Sequence, residues 1–340
     1  MKVILVILFI VALLLVIGVI LQRDGAQTTP SGKGTVTLSA GNFEAFPLPE
    51  YAAKHAGPDY KSYLVEVEPG IKVHVMEVGE GYPVYLQHGN PTSGFLYRKI
   101  VSELANDNLR LIMPTLVGLG FSSKVPASQH TADNHTRWIN SVLTQLDLRE
   151  VVFVGQDWGG AIGMGALALS PGMVKGAVIM NTLLDAPTEK KDVSSIHARV
   201  KTPVLGELII EIIGKQVGSL GAMQGDPESI PEEIDELYKR PQIDDGNYKA
   251  TLAMMRMVPD GPDHPTAKSM GFVEQYVDQL NISVEIVWGM SDPILGGRLP
   301  DMIENFPEAR VTKTNAGHFL QEEVPGDIAG AVRRVVAKTQ

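Results

Sequence analysis

The sequence predicts an α/β protein: a mostly parallel sheet with helices on both faces and a helical insertion late in the chain. Three observations carry this. Short β-favouring runs alternate with helix-periodic runs from Tyr63 to Met180, the rhythm of parallel strands joined by crossovers. The rhythm breaks from Leu184 to about Lys268, which is helix-like without strand signals, and resumes at Val284-Glu-Ile-Val-Trp288. Finally, Val151-Val-Phe-Val154 runs into Gly155-Gln-Asp-Trp-Gly159 and an Ala/Gly/Met-rich stretch, a strand, a tight turn and a helix.

Taken in order, the chain starts with an uninterrupted apolar run, Val3 to Leu21, preceded by Lys2 and followed by Gln22-Arg-Asp24. A secretory h-region is about 7–15 residues, and about 18 apolar residues suffice to span a bilayer. Residues 1–24 therefore predict an uncleaved transmembrane signal-anchor, ahead of a cleaved signal peptide and, last, a buried core helix. Lys2 favours a cytoplasmic N-terminus, which puts the folded part on the non-cytoplasmic (periplasmic) side. Residues 25–45 read as a tether, because Gln27 to Gly34 is rich in Thr, Ser, Gly and Pro.

Tyr63-Leu-Val-Glu-Val-Glu68 and Ile71-Lys-Val-His-Val-Met-Glu77 alternate around Pro69-Gly70, a hairpin signature. Pro83-Val-Tyr-Leu-Gln87 and Leu109-Arg-Leu-Ile-Met113 are short strands, separated by a helical stretch from Phe95 to Ala105. Thr131 to Leu146 has helical spacing, with Trp138, Ile139, Val142 and Leu143 on one face. In the insertion, Ser229-Ile-Pro-Glu232 has the spacing of a capping box. Residues 46–183 and 269–340 are the expected core, and 184–268 the expected cap over the active end.

At 340 residues and 44% hydrophobic, the chain can bury one large core. Its net charge of -10 excludes the basic footprint of a nucleic-acid binder. It has no Cys, hence no thiol chemistry, and no H-E-x-x-H pattern. No metal or organic cofactor is implied.

The turn at Gly155-Gln-Asp-Trp-Gly159 follows the G-x-Nuc-x-G pattern, which lifts its middle residue to the carboxyl end of a sheet. Here that residue is Asp157. Asp292, in Gly289-Met-Ser-Asp292, follows the Val284–Trp288 run, and His318, in Asn315-Ala-Gly-His318, follows a further predicted strand, Ala309-Arg-Val-Thr312. Singly, each has a plain structural reading as turn residue, helix cap or loop histidine. Together they arrive in the order nucleophile, acid, histidine. A carboxylate is a poor acyl nucleophile, because attack would leave an anhydride, but it suits displacement at an sp³ carbon bearing a leaving group. His318, oriented by Asp292, can then activate water against the Asp157 ester.

His88-Gly-Asn-Pro-Thr-Ser-Gly-Phe-Leu-Tyr-Arg98, Gly155-Gln-Asp-Trp-Gly-Gly160 and Ala316-Gly-His-Phe-Leu-Gln-Glu322 resemble the haloalkane dehalogenases of the α/β-hydrolase fold. The likeness runs from about Tyr63 to the C-terminus. It implies hydrolysis of a small apolar haloalkane to alcohol and halide, with water as co-substrate. By the same resemblance, the side-chain N–H groups of Asn90 and Trp158 hold the halide and their backbone N–H groups form an oxyanion hole. Asp–His–Asp with an Asn–Trp pair resembles a third, less studied subfamily, some of whose members self-associate, so oligomerisation belongs to the expectation. Asn181 reads as structural.

Two other classes compete. An epoxide hydrolase shares the triad and needs acid donors, for which Tyr238 and Tyr248 in the cap are candidates. A membrane-tethered binding protein on an inactive scaffold would lack nucleophile, base or acid, and all three are present. His130, His135, His197 and His264 read as surface or loop residues.

Overall fold

The computed structural model describes Gly18 and residues 23–190, 195–214 and 220–340. Ten strands form one sheet: β1 Thr35–Leu38, β2 Gly41–Ala45, β3 Lys61–Glu68, β4 Ile71–Val78, β5 Tyr82–Gln87, β6 Leu109–Pro114, β7 Val151–Gln156, β8 Val174–Met180, β9 Ser283–Gly289 and β10 Arg310–Thr314. Their spatial order is β1-β2-β3-β4-β6-β5-β7-β8-β9-β10. The first four and the β4–β6 pair are antiparallel, and every pair from β6 through β5 to β10 is parallel.

Strand β7 lies between β5 and β8, and all six of its residues are buried, which is why Val-Val-Phe-Val carries no polar alternation. The helices used below are α1 Arg98–Glu103, α2 Ala132–Gln145, α3 Trp158–Ala168, α4 Ser195–Val200, α5 Glu232–Asp244, α6 Lys249–Arg256, α7 Pro265–Val277 and α8 Pro325–Thr339. Thr131 caps α2 by accepting from the Asn134 N–H, and Trp138, Ile139, Val142 and Leu143 join α3 in the core on one face. Ile100 and Val101 of α1 pack with Ile328, Val332 and Val335 of α8 on the other. Helix α3 is buried at every position, so it has no polar stripe.

Helices α4 to α7 fall between β8 and β9, where the helical insertion was expected. Two details differ. The boundary at residue 268 lies inside α7, whose Met270, Val273 and Val277 join the core containing α3; nothing local in the sequence marks that packing. The expected capping box does not form: α5 begins after Pro231 with no side-chain cap, and Ser229 Oγ instead accepts from Gln224 Nε2 at 3.1 Å.

The N-terminal expectations need larger corrections. Residues 25–45 are not a tether: they include β1 and β2, and Glu44 and Ala45 pair with Leu64 and Tyr63 of β3. Thr28 bridges Lys124. Composition signalled a linker, but the strands exist because β3 offers an edge. The transmembrane anchor is overturned as well. Among the described residues no helix is long and apolar enough to cross a membrane, and the periplasmic placement that depended on one falls with it. Gly18 is buried, with Val204 Cγ2 3.3 Å from where its Cβ would stand. The rest of the Val3–Leu21 run lies outside the described residues.

Candidate active site

The parallel strands deliver the predicted residues to one end of the sheet. Asn90 follows β5, Asp157 follows β7, Asn181 follows β8, Asp292 follows β9 and His318 follows β10. Asp157 has φ 52° and ψ -136°, a backbone state that L-residues avoid and that persists only where surroundings impose it. The imposition is visible at Gly159, where a Cβ would stand 2.2 Å from the Gln87 carbonyl. Only glycine lets α3 start this close to β5.

His318 Nδ1 lies 2.9 Å from Asp292 Oδ2, and its Nε2 lies 3.6 Å from Asp157 Oδ2. The first is a hydrogen bond; the second is too long for one. Asp157 Oδ1 accepts from the Asn90 backbone N–H at 2.7 Å, and the Trp158 backbone N–H lowers the proton affinity of this carboxylate. Asp292 Oδ1 accepts from Ile294 N–H at 2.8 Å and Leu295 N–H at 3.1 Å.

These contacts set the proton affinities. Burial alone would push Asp292 up, but His318 and the two N–H groups prevail and hold it below the usual carboxylate value. Burial would push His318 down, yet Asp292 and Asp157 outweigh it and raise the imidazole. Asp157 is raised by burial, against the lowering effect of His318 and the Trp158 and Asn90 N–H groups. The arrangement is a carboxylate with one oxygen in an N–H cradle, beside a histidine made more basic by a second carboxylate.

A cavity of about 450 Å³ lies over it, lined by Asn90, Asp157, Trp158 and His318 together with Leu183, Met255, Val258 and Phe319. The two side-chain donors assigned from sequence face helix α6. Asn90 Nδ2 donates to Thr251 O at 3.1 Å and Trp158 Nε1 to Met254 O at 3.0 Å. The two candidate tyrosines separate. Tyr248 lines the cavity, with burial pushing its hydroxyl up to about 12. Tyr238 is fully buried elsewhere, donating to Glu322 Oε1 at 2.8 Å and accepting from Arg98 Nη1 at 3.2 Å.

A profile described as alpha/beta hydrolase fold matches residues 82–200. A haloalkane dehalogenase from Agrobacterium fabrum (strain C58) is 30% identical over 275 residues, covering 76% of this chain and 86% of that protein. The chain belongs to the haloalkane dehalogenase family. The solved structure of the haloalkane dehalogenase DatA from Agrobacterium tumefaciens C58 superposes with a TM-score of 0.73 at 25% identity, over 86% of this chain and all of that one. A cis-3-alkyl-4-alkyloxetan-2-one decarboxylase from Shewanella oneidensis is 28% identical over 80% of this chain and 87% of that protein.

Two further residues of this dehalogenase were missed or undervalued. Asn181 Nδ2 donates to Asp292 Oδ2 at 2.8 Å, the same oxygen that faces His318, so it is more than a strand-end residue. Its position directly after β8 was the available signal. Gln156 Nε2 donates to the His318 carbonyl at 3.0 Å and fixes the histidine loop to the elbow. Contrary to the surface reading, His130, His135 and His197 are buried, at 4%, 0% and 7% exposure.

Proposed function

We propose that this dehalogenase works through a covalent ester on Asp157. Asp157 Oδ2 attacks the carbon bearing the halogen and the C–halogen bond breaks. The departing halide is received by Asn90 Nδ2 and Trp158 Nε1, since donors placed where charge develops lower the barrier. His318 Nε2 then takes a proton from water as the water adds to the Asp157 carboxyl carbon. The bond from this carbon to the alkyl group's oxygen breaks, that oxygen takes the proton back from His318, and the alcohol leaves, with the Asp157 carboxyl proton lost to solvent. Asp292 orients the imidazole and stabilises its protonated form. The backbone N–H groups of Asn90 and Trp158 hold the oxyanion.

The observation that carries this reading is the asymmetry of the Asp157 carboxylate. One oxygen sits in the N–H cradle at 2.7 Å and the other faces His318 Nε2 at 3.6 Å, so the attacking oxygen and the oxyanion-bearing oxygen are already distinguished. With Asp–His–Asp as triad and Asn–Trp as halide pair, the reading assigns the chain to the third subfamily. Residues 46–183 and 269–340 are its core, and 184–268 the cap that selects among apolar haloalkanes.

The epoxide-hydrolase reading is disfavoured because Tyr238 is engaged by Arg98 and Glu322, leaving Tyr248 alone as acid donor. The test is bromide release from 1-bromobutane and 1,2-dibromoethane, which Asp157→Ala abolishes. Turnover of styrene oxide or of a cis-3-alkyl-4-alkyloxetan-2-one, with no bromide release from folded protein, refutes it.

A further inference from the structure

We propose that helix α6 is the resting occupant of the halide site, and that Asn247 is the positioning residue that holds it there. The proposal rests on the assignment of Asn90 and Trp158 as halide donors. In the structure both donors are already used, by Thr251 O at 3.1 Å and Met254 O at 3.0 Å. An indole N–H has a single hydrogen and cannot serve a helix carbonyl and a halide equally well. Helix and halide therefore compete for the same two groups. The helix gives up its share readily: Met254 O also accepts from the Met257 N–H at 3.2 Å, so release does not orphan it.

Arg256 ties α6 to Val200 O and Glu207 within the insertion; the helix's hold on the rest of the molecule lies at its other end. Asn247 is 6% exposed, and its Oδ1 accepts from the Lys249 N–H at 3.1 Å at the start of the helix. Its Nδ2 donates to Ala26 O at 2.8 Å and lies 3.5 Å from Val125 O. Ala26 belongs to a strap fastened to the core on both sides. Asp24 accepts from Ser128 N–H at 2.7 Å and from its hydroxyl at 2.5 Å. Thr28 and Lys124 exchange backbone bonds of 2.9 Å in both directions. Asn247 thus ties α6 to the strap and to the loop beneath it, outside the insertion.

The consequence is directional. A halogen entering the site displaces the two carbonyls. Once the carbon–halogen bond has broken, the returning carbonyls drive the halide out. Holding α6 more firmly weakens halide binding and speeds product release.

Bromide inhibition of 1-bromobutane turnover by the full chain tests this. Asn247→Ala is expected to lower the bromide inhibition constant about fivefold to tenfold, the effect of freeing roughly one net hydrogen bond. Its single-turnover alkylation rate should change by less. A residue serving only to order the site gives the opposite sign, because a loosened site binds bromide more weakly. Asp24→Ala, at an exposed position, loosens the same strap and should shift the constant in the same direction, which decides the matter if Asn247→Ala does not fold. A constant unchanged or raised in folded variants overturns the proposal. The donor assignment fails separately, if Trp158→Phe and Asn90→Ala leave bromide inhibition intact.

Discussion

Replacing Asp292 by asparagine removes a charge and almost no volume, and the surrounding bonds dictate the outcome. Asp292 Oδ1 accepts from the Ile294 and Leu295 N–H groups, while Oδ2 accepts from Asn181 Nδ2 at 2.8 Å and faces His318 Nδ1 at 2.9 Å. An amide has one acceptor atom for these two sets of donors. If its oxygen stays with Ile294 and Leu295, its NH₂ meets the Asn181 NH₂ and forces His318 Nδ1 to become an acceptor. The imidazole proton then sits on Nε2, where it cannot take a proton from water. General-base help is worth about 10²–10⁴-fold, and loss of the right tautomer in a comparable triad costs about 10⁴-fold. Ester hydrolysis should therefore slow by about 10³–10⁴-fold. Attack by Asp157 uses neither nitrogen, so alkylation survives. In rapid quench with 1-bromobutane, Asp292→Asn should release one bromide per site in a burst and then stall, and intact-mass measurement should find a butyl adduct. Turnover within about tenfold of the native rate refutes the reasoning, as does a folded variant lacking both burst and turnover.

Trp158→Phe removes one proposed halide donor and should lower kcat/KM for 1-bromobutane about 10²-fold, the scale of losing one preorganised donor; burst kinetics should place the loss in alkylation. Activity should fall as pH drops through the His318 pKa, which lies above the ordinary 6.5, since the base must be neutral. Protonation of Asp157, whose pKa is also raised, acts in the same direction, and a pH–rate profile with its acid limb below 6.5 contradicts the assignment. Tyr238→Phe removes the hydroxyl between Arg98 and Glu322 and should cost roughly 1 kcal/mol in urea unfolding, leaving bromide release unchanged; a large loss of release would restore Tyr238 to the chemistry.

Much of this molecule was legible because its information is local. The elbow is written in consecutive residues, and four of the five strands that carry the site announce themselves by short apolar runs with Gly, Asn or Asp soon after; the fifth, Arg-Val-Thr-Lys-Thr, is marked only by its β-branched residues. What could not be read depends on partners remote in sequence. Gly41–Ala45 becomes a strand because β3 presents an edge to it, and Thr35–Leu38 pairs in turn on Gly41–Ala45. His130 and His135 sit in loop-like and helix-start sequence, yet their rings stack at 5.2 Å beside Trp138. Asn181 could be placed after its strand, but not its bond to Asp292, which joins β8 to the loop after β9. The contacts of Asn90 and Trp158 with α6 belong to the way the insertion settles on the core, and no spacing rule reports that.

The distribution of tryptophan has a spectroscopic consequence. The chain has three. Trp138 is 2% exposed and Trp288 0%, and Trp288 gives its indole hydrogen to Gly296 O at 3.1 Å. Only Trp158 lines the cavity. The native emission is therefore two shielded, nearly constant sources plus one indole whose hydrogen bond changes with occupancy. Iodide, a heavy-atom quencher, should extinguish the Trp158 share of the signal saturably, turning the unlabelled protein into its own reporter of what occupies the site.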